Sequence, residues 1–253
     1  LDADLDVELP VKLVVANEKA LERGVRYVET DLNRAFPGGP DAETHEERLA
    51  HELLTEIRGC EVLSLHSTQS YAAPFALVDS LDGHARSICP YLSVDALVET
   101  AGYSGGRLIA YPNVIELECG LQRSAAAAEN ATRLAREFLV AVGALSGETR
   151  APRHHPLPVF RLEEQIPKEE ADNYEVFVEN FERVAEGDRF AAADRDPLIA
   201  ESPFYPILLS ADGYQNVFGY AGELVDRLDG ESPGRCEPAS DGDGSAQIES
   251  GPR

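Results

Sequence analysis

The chain of 253 residues is poor in several residue types, and each shortage narrows the class of protein. It contains no methionine and no tryptophan, and only three of its 22 basic residues are lysines. Set against 46 acidic residues, this gives a formal net charge of -24, which argues against nucleic acid or an anionic membrane surface as a partner. We interpret the acidity mainly as a solvated surface, and its low lysine content favours a halophilic protein.

Long apolar runs and paired cysteines are also missing. No run approaches the ~18 residues of a membrane span, so we expect a soluble protein. The four cysteines are scattered and form no Cys-x-x-Cys pair, which argues against a structural zinc knuckle and favours a reducing, cytoplasmic setting. Because the chain starts at Leu1 and lacks methionine, we expect a further segment upstream.

Apolar periodicity predicts strands that alternate with helices over the first half of the chain. This pattern favours an α/β fold with a mixed or largely parallel central sheet flanked by helices. We expect three parts: an α/β catalytic domain over 1–147, a smaller β-rich domain over 148–228 and a disordered acidic tail over 229–253. Within the first part the predicted strands are 11–16, 25–30, 60–65, 75–78 and 114–119, and the predicted helices are 41–58 and 124–142.

The motif Asp31-Leu32-Asn33-Arg34 places the amide of Asn33 next in sequence to the guanidinium of Arg34, just before a Pro-Gly turn. Arg34 offers the rigid fork of donors that matches a carboxylate, and Asn33 can add a directional donor. The segment therefore favours a small substrate with carboxylate groups. The alternative is a structural one, in which Asp31 holds the arginine and Asn33 caps a turn.

A histidine and a carboxylate follow two other predicted strands. His66 comes directly after an apolar run, where an α/β enzyme places a metal ligand, although a lone histidine is more often a satisfied polar residue. In Glu116-Leu117-Glu118, strand alternation puts both carboxylates on one face. If a zinc ion is bound near His66, Glu118 could act as the general base for a zinc-bound water.

Taken together, these motifs resemble the succinylglutamate desuccinylase/aspartoacylase family, which is related to the zinc carboxypeptidases. The resemblance rests on Arg26-Tyr27, on Asp31 to Arg34, on Leu65-His66-Ser67-Thr68 and on Glu118-Cys119-Gly120-Leu121-Gln122, with Tyr103 to Arg107 and Phe204 to Tyr214 in support. It implies zinc-dependent hydrolysis of an N-acyl amino acid. His66 would be a zinc ligand, Glu118 the base and Arg26 the group that polarises the scissile carbonyl. The residues implied in substrate binding are Asn33, Arg34, Tyr103, Arg107 and Tyr214.

The chain lacks the motif in which the family places its first two zinc ligands, since no His-x-x-Glu precedes Arg26. We therefore expect one zinc ion whose other two protein ligands lie upstream of Leu1. Two alternatives stay open: a zinc carboxypeptidase acting on peptides, and a non-catalytic relative without the upstream ligands. The sequence does not decide between a monomer and a homo-oligomer.

Overall fold

A computed structural model describes residues 6–147 and 156–229. The four α-helices of this part are α1 (Glu18–Arg23), α2 (His45–Glu56), α3 (Gly83–Ile88) and α4 (Ala125–Ala141). The ten strands are β1 (Val62–Thr68), β2 (Phe75–Val78), β3 (Leu97–Glu99), β4 (Val114–Leu121), β5 (Leu157–Pro167), β6 (Tyr174–Val176), β7 (Arg189–Ala193), β8 (Asp196–Ile199), β9 (Tyr205–Ile207) and β10 (Val217–Leu228).

Seven strands form the central sheet in the order β1-β4-β2-β3-β5-β10-β9, and β6, β7 and β8 form a separate antiparallel sheet. Three neighbouring pairs of the central sheet are parallel, namely β1 with β4, β2 with β3 and β3 with β5. The remaining pairs are antiparallel. The predicted α/β class with a mixed sheet is therefore confirmed.

The helices begin where the sequence supplies caps. Ser124 accepts the amide N–H of Ala127 at the start of α4, and Thr44 forms a capping box with Glu47 at the start of α2. Leu134 and Phe138 of α4 are buried against one face of the sheet, beside Leu117 of β4. That face is closed by core packing, which leaves the opposite face of β1 and β4 for polar side chains.

Two predicted strands are wrong. The run 11–16 is exposed along its whole length and forms no strand, because none of the described strands pairs with it. The run 25–30 also forms no strand, because the backbone N–H groups of Val28, Glu29 and Thr30 donate to the Glu46 carboxylate instead of to a neighbouring strand.

The proposed division near residue 147 stays a prediction. Strands β5, β9 and β10, from the predicted β-rich domain, extend the central sheet, while β6 to β8 stand apart. The predicted tail falls almost entirely outside the described residues. Within residues 6–147 and 156–229, no helix combines the length and the apolar character needed to cross a bilayer.

Candidate active site

The pairing of β1 with β4 brings the predicted metal ligand and the predicted base together. Both strands run in the same direction, and His66 stands opposite Glu118 in their register, as Ser64 stands opposite Glu116. Since side chains alternate along a strand, the four residues project from the same face. The predicted shared face of Glu116 and Glu118 is thus present. His66 and Glu118 lie in the second halves of their two parallel strands, towards the carboxyl ends where sites of α/β sheets are found.

Glu118 is a buried carboxylate with an unused oxygen. Its side chain belongs to a residue that is only 9% exposed, and its Oε2 atom has no hydrogen-bond partner in the described part of the chain. Burial, followed by the negative charge of Glu116, raises the pKa of Glu118 to about 8, although Arg26 acts in the opposite direction. A buried oxygen without a partner is costly, so this carboxylate indicates a functional group or a cation site.

Among the described residues, one group of side chains could hold a metal ion, and it consists of His66, Glu116 and Glu118. Their ligand atoms all lie within 4.8 Å of one another. The Nε2 atom of His66 lies 2.9 Å from Ser64 Oγ and 3.5 Å from Glu116 Oε2. One imidazole nitrogen and carboxylate oxygens form a donor set that suits zinc and related divalent ions. The donor types and the orphaned Oε2 atom therefore fit a metal ion.

The loop that carries Asn33 and Arg34 is locked to the loop that carries Arg107. Asn33 Oδ1 accepts the backbone N–H of Leu108 at 3.1 Å, and the Phe36 N–H donates to the Gly106 carbonyl at 3.1 Å. Gly106 has φ +76°, and a Cβ there would lie 2.9 Å from the Arg34 carbonyl oxygen. Only glycine suits so close an approach, and it sets the two arginines near each other.

Arg34 and Arg107 form a positively charged pair beside two tyrosines. Partial burial, followed by the charge of Arg107, lowers the pKa of Arg34. Arg107 Nη2 donates to the Tyr220 hydroxyl at 3.2 Å. Burial, and after it Glu118 and Tyr220, raises the pKa of Tyr214 to about 12. Two neighbouring guanidinium groups favour an anion between or beside them, as a substrate with carboxylates would supply.

Two predicted site residues have other partners. The Arg26 side chain is 61% exposed and pairs with Asp31, whose carboxylate also accepts the Asn33 N–H. The structural alternative is thus met only in part: Asp31 pairs with Arg26 rather than with Arg34, and Asp31 rather than Asn33 caps the turn. Asn33 contacts Glu116 through its side-chain amide. Tyr103 donates its hydroxyl to the Glu163 carbonyl and packs edge-on against Tyr220, with ring centroids 5.2 Å apart. The individual roles of the predicted site residues stay predictions.

Sequence reasoning gave Tyr220 and Glu116 no role at the site. Tyr220 lies on β10, whose sequence has no clear apolar alternation from which a strand could be predicted. The position of Glu116 could be read from its two-residue spacing to Glu118, but its contact with His66 depends on the register of β1 and β4.

Comparison with known structures identifies the fold. Three solved proteins share it: the product-bound Ectoine utilization protein EutE (DoeB) from Ruegeria pomeroyi, a succinylglutamate desuccinylase/aspartoacylase from Rhodobacter sphaeroides and murine aminoacylase 3. Their TM-scores are 0.63, 0.65 and 0.65, at 21%, 17% and 19% identity. The alignments cover 80%, 83% and 85% of this chain and 71%, 74% and 84% of the respective neighbours. The fold is the zinc carboxypeptidase-like fold of the aspartoacylases.

The sequence comparisons point to the same family. Residues 6–100 match the profile described as the succinylglutamate desuccinylase/aspartoacylase catalytic domain. A probable aspartoacylase from Prochlorococcus marinus subsp. pastoris is 34% identical over 70 residues, which span 25% of this chain and 24% of that protein. The resemblance to the succinylglutamate desuccinylase/aspartoacylase family is thereby confirmed, and residues 6–100 carry the pattern of its catalytic domain.

Proposed function

We propose that the protein is a zinc-dependent amidohydrolase that removes the acyl group from an N-acyl amino acid of the N-acetylaspartate or N-succinylglutamate type. The observation that carries this proposal is the buried Glu118 carboxylate beside His66, whose Oε2 atom has no hydrogen-bond partner among the described residues. Tyr214, which interacts electrostatically with Glu118, also interacts with Arg34 and Arg107. The family profile over residues 6–100 supports the same reaction class.

His66 would hold the zinc ion, with further protein ligands completing its coordination. When bound, zinc supplies a Lewis acid and lowers the pKa of a water ligand to about 7. The two ligands that the sequence led us to expect upstream of Leu1 stay a prediction.

Glu118 is the group that we assign to proton transfer. In its ionised form, which a neighbouring cation would favour, its Oε2 atom would accept the proton of the attacking water and later deliver it to the departing amine nitrogen. Arg26 would donate to the scissile carbonyl oxygen, and its influence on the pKa of Glu118 supports their proximity. A positive donor aimed at the developing oxyanion is worth about 3 kcal/mol of barrier.

The substrate side of the site would be built by the residues around the two arginines. Arg34 and Arg107 would receive carboxylates, and Tyr214 interacts electrostatically with both of them. Tyr103 packs against the ring of Tyr220. Asn33 would orient the Arg34 loop through its contact with Leu108. More positive charge is gathered here than one terminal carboxylate needs, which favours an acidic acyl amino acid over a peptide. Such a small, charged substrate suits an enzyme of the cytoplasm.

A substrate comparison tests the proposal. The full chain, loaded with Zn²⁺, is assayed with N-acetylaspartate, N-succinylglutamate and a carboxyl-terminal dipeptide. We expect release of the free amino acid from one of the two N-acyl substrates at the highest kcat/KM. Preference for the dipeptide would establish a carboxypeptidase, and zinc binding without any hydrolysis would favour a non-catalytic relative.

A further inference from the structure

A second carboxylate lies against the proposed metal ligand. Glu116 is only 5% exposed, and its Oε2 atom lies 3.5 Å from His66 Nε2. Asn33 Nδ2 donates to the same Oε2 atom at 3.4 Å. Both contacts are long for a charge-assisted hydrogen bond, so they compensate the burial of this carboxylate only weakly.

Glu118 is a second buried carboxylate whose burial is weakly compensated. It stands two residues further along β4 on the same face and is also buried, with Oε2 unpartnered among the residues that the structure describes. Two buried carboxylates beside one imidazole are expensive unless a cation shares the space. The 4.8 Å limit that encloses their ligand atoms leaves room for one ion among them.

The two carboxylates are not equivalent. The Oε2 atom of Glu116 faces the His66 ring and is oriented by the Asn33 amide, whose own Oδ1 is fixed by the Leu108 N–H. Carboxylates that bind metals are usually oriented in this way by an outer hydrogen bond. The Oε2 atom of Glu118 lacks any such orienting donor in the described chain, as suits a group that exchanges protons.

We propose that Glu116 is a ligand of the divalent cation that His66 binds, and that Asn33 is its orienting residue. The inference rests on the proposed function, since it takes the metal at His66 from there and adds a ligand from within this chain. Asn33 would then serve the metal site as well as the substrate loop.

Matched variants on one strand test this assignment. Zn²⁺ affinity of the full chain is measured by competition with a chromophoric chelator, and Co²⁺ absorption reports the coordination. Glu116→Gln and Glu118→Gln make the same replacement of a carboxyl group by an amide on the same face of β4. We expect Glu116→Gln to weaken Zn²⁺ binding at least about tenfold and to change the Co²⁺ spectrum, while Glu118→Gln changes neither by more than about threefold.

Further variants separate ligation from charge and from folding. Glu116→Asp keeps the charge but withdraws the oxygen by one methylene, so it should also change the Co²⁺ spectrum. Circular dichroism of each metal-free variant checks its fold, and Glu116→Asp decides the matter if Glu116→Gln does not fold. An equal loss in Glu116→Gln and Glu118→Gln, or an unchanged spectrum in both Glu116 variants, would overturn the ligand assignment alone. A wild-type chain that binds Zn²⁺ no better than His66→Ala would overturn the proposed function, and this inference with it.

Discussion

The carboxylate of Glu46 holds the segment before the arginine loop, and its loss should destabilise the protein in a pH-dependent way. Glu46 is fully buried and accepts N–H groups from Asn17 at 3.0 Å, Val28 at 2.6 Å, Glu29 at 3.2 Å and Thr30 at 3.3 Å. Burial alone raises the pKa, but these donors outweigh it and lower the pKa of Glu46 from 4.5 to about 2. A shift of this size corresponds to roughly 3 kcal/mol of stability.

The sign of the effect follows from the lowered pKa. The stabilisation is complete above the unfolded value of 4.5 and is lost as the pH falls towards 2. Glu46→Gln cannot carry this charge, so it should lower the free energy of unfolding by about 3 kcal/mol at pH 7. The gap between variant and wild type should then narrow as the pH is lowered from 6 to 3.

Urea unfolding at a series of pH values measures this gap. Glu52→Gln, at an exposed position of the same helix α2, is the matched control and should change the free energy of unfolding by less than about 0.5 kcal/mol. A Glu46→Gln cost that stays constant from pH 6 to pH 3, or that equals the cost of the control, would refute the reasoning.

Three further predictions concern the site and its supports. Tyr220→Phe removes the hydroxyl that accepts from Arg107 but keeps the ring, so steady-state kinetics should show KM rising about fivefold with little change in kcat, as expected for about 1 kcal/mol; an unchanged KM would exclude this role. Lys168 donates to the backbone carbonyls of Ala211 and Tyr214, so Lys168→Met should lower the free energy of unfolding by about 1–3 kcal/mol in urea titrations. The control is Lys19→Met at an exposed position, and an equal loss in both variants would contradict this prediction. Arg26→Ala should lower kcat about 100-fold while thermal unfolding stays nearly unchanged, because the pair with Asp31 is exposed; a large fall in Tm would indicate a structural role instead.

The sequence predicted those parts of the fold where local pattern and tertiary context agree. The predicted helix 124–142 corresponds to α4, since its cap and its apolar spacing point to the same ends. The predicted strand 75–78 is β2. In contrast, β10 has Gly219 and Gly222 within its twelve residues and charged residues near its end, so apolar and polar residues do not alternate clearly along it. It forms because it pairs with β5 along its length, a contact that no local window contains.

The candidate site shows the same division between local and distant information. The residue types at His66, Glu118 and Arg34 could be read as chemistry, and the register of β1 and β4 does bring the first two together. The contact of Glu116 with His66 and the contact of Tyr220 with Arg107 join distant segments. Such contacts depend on sheet order, which the sequence of one chain leaves open.

The central claim is that Glu118 acts as the base of a zinc amidohydrolase whose metal is held at His66. The most direct measurement is the zinc content and the turnover of N-acetylaspartate and N-succinylglutamate, compared between the wild-type chain and Glu118→Gln. We expect the variant to retain its zinc and to lose turnover by at least about 100-fold, because the amide cannot accept the proton of the attacking water. Turnover close to that of the wild type, with zinc still bound, would contradict the account.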